Sequence, residues 1–183
     1  MERLRHAIIT QGTYMICPQY DEEGKLGSMV LQNGDFIYAD ISPTDLVDYS
    51  IRCYGSSLRG AVDGTRTIFG EDIFMPPVIV SEKLGLYWFP SKSSSSPKCI
   101  WFSAGDIDRF KTIDKEHIQV FFIDGSDMTV NCSAYSFESK YLRACRLKGR
   151  MEARTNVMVV HEKQSSYSIR MDSSKRNFEV EKQ

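Results

Sequence analysis

Long apolar runs are missing from this chain. Its most hydrophobic stretches, Ile118 to Ile123 and Leu84 to Pro90, fall far short of the roughly 20 residues that a membrane-crossing helix needs. The opening Met1-Glu2-Arg3-Leu4-Arg5 has no apolar core of the kind a secretory leader carries. A cytoplasmic protein is expected, without membrane partners. Metal signatures are missing too. Cys17, Cys53, Cys99, Cys132 and Cys145 stand far apart with no C-x-x-C spacing, and His6, His117 and His161 are isolated. Those spacings exclude a local zinc motif, and an odd number of cysteines cannot all pair. Reduced thiols acting as small buried hydrophobes fit best, with no metal and no cofactor.

Catalytic patterns are equally scarce. Gly55-Ser-Ser-Leu-Arg-Gly60 ends without the Lys-Ser/Thr of a phosphate loop and lacks the closing glycine of a hydrolase elbow. A Cys-His pair is the one enzymatic reading left, because its partners need only meet in space. It requires a cysteine with a depressed pKa beside a histidine or at a helix start. The expectation is a protein that is not an enzyme.

Overall basic charge is absent, the formal net charge being −1. The distribution is another matter. Residues 1–50 carry a net −5, residues 51–112 a net +2, residues 113–138 a net −4 and residues 139–183 a net +6. Such a polarised chain is able to present one basic face to a polyanion.

What is present describes one main domain. With 183 residues, 42% hydrophobic and 26% charged, the chain suits a single regulator domain over residues 1–160. Residues 161–183 read as a polar tail, mobile or helical only in a complex. Thr13 to Cys17, Met29 to Leu31 and Asp35 to Ile41 are β-prone and are separated by turn residues, including Asn33-Gly34. Ser42-Pro43 opens a helix near residues 43–54, with Leu46, Val47, Ile51 and Tyr54 at helical spacing. Gly55 to Gly70 reads as a loop with at most a helical turn. Val78 to Val80 folds back onto Leu86 to Phe89, and Ile118 to Ile123 turns at Asp124-Gly125 into Met128 to Val130. From Ser133 the period becomes helical, with Phe137, Tyr141, Ala144 and Cys145 on one face and Gly149 as a stop, giving a basic helix near residues 133–148. The fold class is therefore α+β, mainly antiparallel hairpins with two helices.

Three basic groups are the candidate sites. Arg143, Arg146, Lys148 and Arg150 belong to the last helix, where six basic residues between Lys140 and Arg154 face one acid, Glu152. Guanidinium suits phosphate and narrow minor grooves, while a solvated helix face is the competing reading. Arg52, Arg59 and Arg66 surround the glycine- and serine-rich segment. Lys92 and Lys98 bracket Ser91 to Pro97, whose lack of apolar side chains places it at the surface.

The stretches Ser50-Ile-Arg-Cys-Tyr-Gly-Ser-Ser-Leu-Arg-Gly60, Pro76-Pro-Val-Ile-Val80 and Trp88-Phe-Pro-Ser-Lys-Ser-Ser-Ser-Ser-Pro-Lys-Cys-Ile-Trp-Phe-Ser103 resemble, in order and spacing, the ComK family of competence transcription factors of Gram-positive bacteria. Asp124-Gly125 followed by Ser133-Ala-Tyr-Ser-Phe-Glu138 and Arg143 extends the similarity, which covers about Tyr14 to Arg150. The resemblance implies an activator of DNA-uptake genes in the cytoplasm, at the nucleoid. It further implies recognition of paired A·T-rich boxes in double-stranded promoter DNA, largely from the minor groove, by a homo-oligomer that is a dimer or pair of dimers. RNA polymerase would be a partner, and so would a proteolytic adaptor reading Asn156 to Lys163, a stretch that follows the family pattern only loosely. The rival reading is a protein-interaction module without DNA contact, in which Trp88 and Trp101 form an exposed anchor patch.

Overall fold

The computed structural model describes residues 3–4, 7–155, 167–172 and 177–182. Contacts divide the chain into two compact units, residues 1–153 and 154–183.

In the first unit the amino-terminal meander consists of β2 (Thr13–Tyr20), β3 (Leu26–Gln32) and β4 (Asp35–Ala39), with β1 (Arg3–Leu4) joined in parallel to β4. Asn33 and Gly34, at φ 51° and 82°, make the tight β3–β4 turn; both residues must adopt positive φ for its twist to match the strands. The expected second hairpin forms between β5 (Val78–Ser81) and β6 (Leu86–Pro90), and β7 (Trp101–Ser103) bridges it to β2. A seven-stranded sheet results, ordered β1-β4-β3-β2-β7-β6-β5. A smaller sheet ordered β10-β9-β8 holds β8 (Ile107–Thr112), β9 (His117–Phe122) and β10 (Asp127–Asn131).

Strand alternation sorts the large sheet into two cores. Ile16, Trp88 and Trp101 face one side, with Leu46, Val47 and Ile51 of α1 (Pro43–Cys53). Leu58, Ala61 and Val62 of α2 (Leu58–Phe69) pack against that same cluster. Met15, Phe89 and Phe102 face the other side, against Ile118, Val120 and Phe122 of the small sheet and Phe137 and Ala144 of α3 (Ala134–Thr155). Strand β6 is buried on both faces, which is why Leu86 to Pro90 reads as an unbroken apolar run. Phe137 meets Phe89 and Phe102 edge-on at ring separations of 5.4 and 5.3 Å, and this aromatic contact locks α3 to the sheet. The architecture is α+β, as expected.

Two expectations need correction. The segment read as a loop, Gly55 to Gly70, contains the whole of α2: the Ser57 hydroxyl accepts from Gly60 N–H at 3.1 Å, and Gly70 at φ 104° ends it. Gly60 and Gly64 lower its intrinsic propensity, but Leu58, Ala61 and Val62 supply a packed apolar stripe that outweighs them. Nor does Gly149 stop α3, which runs to Thr155 and is about 33 Å long. Anchoring of its last turns to α2, described below, offsets a glycine cost of about 1 kcal/mol.

The second unit contains β11 (Tyr167–Asp172) and β12 (Asn177–Lys182), paired antiparallel from Tyr167 with Lys182 to Asp172 with Asn177. The stretch read as a polar tail thus contains a hairpin. The stretch Asn156 to Lys163 lies outside the described residues. No helix among the described residues is long and apolar enough to cross a membrane.

Candidate nucleic-acid interface

A groove of about 590 Å³ opens where four segments of the first unit meet. Phe74 and Met75 come from the α2–β5 connection and Ser91, Lys92 and Ser93 from the serine loop. Lys115 and Glu116 come from the β8–β9 turn, and Asn131, Cys132, Ser133, Ser136 and Lys140 from the β10–α3 junction. A smaller cavity shares Phe74, Met75 and Ser93 with it and adds Arg66 of α2.

Each wall is fixed by hydrogen bonds that the local sequence dictates. The serine loop is short of apolar side chains but is tied at both ends. Ser91 exchanges backbone and hydroxyl bonds with Ile100, and Thr44 links the buried Trp101 Nε1 (3.2 Å) to the Ser94 carbonyl (2.8 Å). The β8–β9 turn closes on Asp114, whose carboxylate accepts from the backbone N–H groups of Glu116 and His117 and meets the His117 ring. The Glu116 N–H and His117 together hold it below the usual carboxylate range.

Lys140 forms the floor. It is buried, and its Nζ donates to the Ser91 carbonyl at 2.5 Å and to the Ser136 hydroxyl at 2.9 Å. Desolvation pushes its pKa below the ordinary lysine value; Arg143 and Lys92 press the same way, while the Cys132 and Cys99 thiols oppose. The groove therefore concentrates positive charge in a partly desolvated place, against a single lining carboxylate, Glu116.

The α2–β5 connection is held against α3 and α2. Arg143 Nη1 donates to the Phe74 carbonyl at 3.0 Å, and Thr65 Oγ1 donates to the Pro77 carbonyl at 2.8 Å. Met75 has φ 50°, a left-handed conformation that costs a non-glycine residue about 1 kcal/mol or more and is harder still before proline. Arg150 Nη1 donates to the Ile68 carbonyl at 2.6 Å, where the negative end of the α2 dipole lies, and its guanidinium stands 4.9 Å from the Phe69 ring centre. Arg146 stands 5.6 Å from the same ring.

The expected site residues therefore divide. Arg66 and Lys92 line the cavities, and Arg143 braces the rim; Arg66 Nε is enclosed with no hydrogen-bond partner. Arg146 and Arg150 are exposed and engaged with the end of α2. Lys148 lies 3.9 Å from Glu152, and Arg59, with a side chain 93% exposed, lies 3.9 Å from Asp63. Arg52 is held by Asp48 at 2.7 Å on α1. Arg52, Arg59 and Lys98 do not line either cavity. Sequence reasoning missed Lys115, hidden in an acidic segment, and did not single out Lys140, whose burial only packing reveals. The Phe74-Met75-Pro76-Pro77 run was a visible signal for a rigid apolar tip.

The rival readings meet specific obstacles. Trp88 and Trp101 are 0% and 1% exposed, so neither is available as a surface anchor. Burial pushes the Cys17 thiol up to about 11 and raises Cys99 and Cys132 as well, the reverse of an activated thiolate.

The ComK protein family model matches residues 4–156. The competence transcription factor of Bacillus subtilis (strain 168) is 28% identical to this chain over 146 residues, covering 80% of this chain and 75% of that protein. No solved structure matches. The chain belongs to the ComK protein family.

Proposed function

We propose that this ComK-family protein is a transcription activator of competence genes that binds A·T-rich promoter DNA along the cationic groove, largely through the minor groove. The observation that carries the reading is convergence. Lys92, Lys115 and Lys140 come from three separate segments to line one groove, with Arg66 lining the adjoining cavity and Arg143 bonded to the shared rim. An overall neutral chain with such a focus attracts phosphate locally without binding polyanions over its whole surface. A·T tracts narrow the minor groove and deepen its negative potential, which suits side chains carried on a serine-rich rim. Recognition of paired boxes calls for two grooves at a fixed separation, so the active form is a dimer or pair of dimers. The protein acts in the cytoplasm at the nucleoid and engages RNA polymerase there, and Asn156 to Lys163 is the segment for a proteolytic adaptor.

The test uses three duplexes with paired boxes: native A·T, inosine·cytosine in place of A·T, and G·C. Inosine·cytosine keeps the A·T minor-groove face but presents the major-groove pattern of G·C. Binding to the first two and loss on the third is expected. Loss on inosine·cytosine would overturn the minor-groove reading, and equal binding to all three would overturn selectivity.

A further inference from the structure

We infer that Phe74 is a wedge that enters bound duplex DNA between two stacked base pairs. The inference rests on the DNA-binding reading above and deepens it. Phe74 is 69% exposed, and of the exposed large apolar side chains among the described residues it is the one that lines the cationic groove. Tyr135, Ile123, Ile113 and Leu142 are also exposed but line neither cavity.

A wedge must stay out of its own core and be rigid before it meets DNA, otherwise ordering it costs what insertion gains. Phe74 meets both demands. Its carbonyl is held by Arg143, the next residue is locked at φ 50°, and Pro76-Pro77 then fixes the chain, with Pro77 accepting from Thr65. These restraints fix the main chain that carries the ring at the mouth of the groove. Around it Lys92 and Lys115, with Arg66 in the adjoining cavity, are placed to take the phosphates on either side of an opened step. Apolar side chains that unstack base steps act from the minor groove, with basic residues beside them. Two carboxylates, Glu71 and Asp72, lie exposed on the same connection and oppose the approach of phosphate, so a basic surface alone does not explain why the chain keeps a bare phenyl ring here.

The experiment places one 2-aminopurine at a time at successive adenine positions of an A·T-box duplex, where unstacking raises its fluorescence. Because the probe carries an amino group into the minor groove, affinity is measured by anisotropy on the unmodified duplex, and fluorescence is read at probe positions that leave binding intact. Wild-type protein is expected to raise fluorescence at one step per box. Phe74→Ala is expected to bind roughly tenfold more weakly and, at saturation, to give no rise. Phe74→Leu, which keeps an apolar wedge, is expected to retain the signal, and both variants should match wild type in thermal unfolding because the ring is exposed. A rise that persists with Phe74→Ala, or wild-type binding with no rise at any step, overturns the wedge while leaving DNA binding intact. Failure of wild type to bind the unmodified duplex at all overturns the DNA-binding reading and the wedge with it.

Discussion

Arg143 and Phe74, 69 residues apart, are joined by one hydrogen bond, from the guanidinium Nη1 to the main-chain carbonyl at 3.0 Å. This bond ties the middle of α3, whose first turns carry Phe137 into the aromatic core, to the tip of the groove. Arg143 thus positions the rim in addition to carrying charge.

Replacing Arg143 with Gln is therefore expected to loosen the rim more than to unfold the protein. The loss is about 1 kcal/mol of global stability, with faster amide exchange confined to residues 70–77 and DNA affinity lower by several-fold. Hydrogen exchange by mass spectrometry reads this directly. Unchanged exchange in that segment would show that the bond does not hold it.

The α3 arginines show where sequence reading stopped. Their helical spacing and basic character were legible, as were α1, the hairpins and the apolar alternation behind both cores. Their partners were not, because α2 was read as a loop: Gly60 and Gly64 weaken a helix whose stability comes from packing Leu58, Ala61 and Val62 against the sheet. Without α2 there is no carbonyl end for Arg150 to meet and no Phe69 ring beside Arg146. Lys115 was obscured for a different reason, since charge averaged over a segment says nothing about which turn projects into which groove.

Alkaline pH tests the burial of Cys17. Its folded-state pKa of about 11 stands above the ordinary thiol value of 9.0, so its contribution is fully present below pH 9 and is lost as pH rises towards 11. Urea unfolding between pH 8 and 11 is expected to lose on the order of 2 kcal/mol from this thiol. Cys17→Ala, less stable at pH 8 through lost packing, should show a correspondingly flatter profile. Parallel profiles would mean that the thiol is not held neutral by burial.

The carboxylates at the rim make a prediction of opposite sign. Glu71 and Asp72 are exposed on the segment that carries Phe74, and a carboxylate repels any phosphate that comes within the Debye length, about 8 Å in physiological salt. Glu71→Gln with Asp72→Asn is expected to tighten DNA binding a few-fold at low salt, an effect that fades as salt rises. Weaker binding by that variant would indicate that DNA approaches another face.

The groove itself is tested most directly by the salt dependence of DNA affinity. Wild type is to be compared with Lys92→Gln/Lys115→Gln, which neutralises two groove lysines, and with Arg52→Gln/Lys25→Gln, which removes two charges outside it. Each lost phosphate contact lowers the slope of log affinity against log salt by about 0.9. The groove pair is predicted to flatten the slope by about 2 units and the outside pair to leave it unchanged. Equal slopes for wild type and the groove pair, or flattening by the outside pair alone, would contradict the assignment.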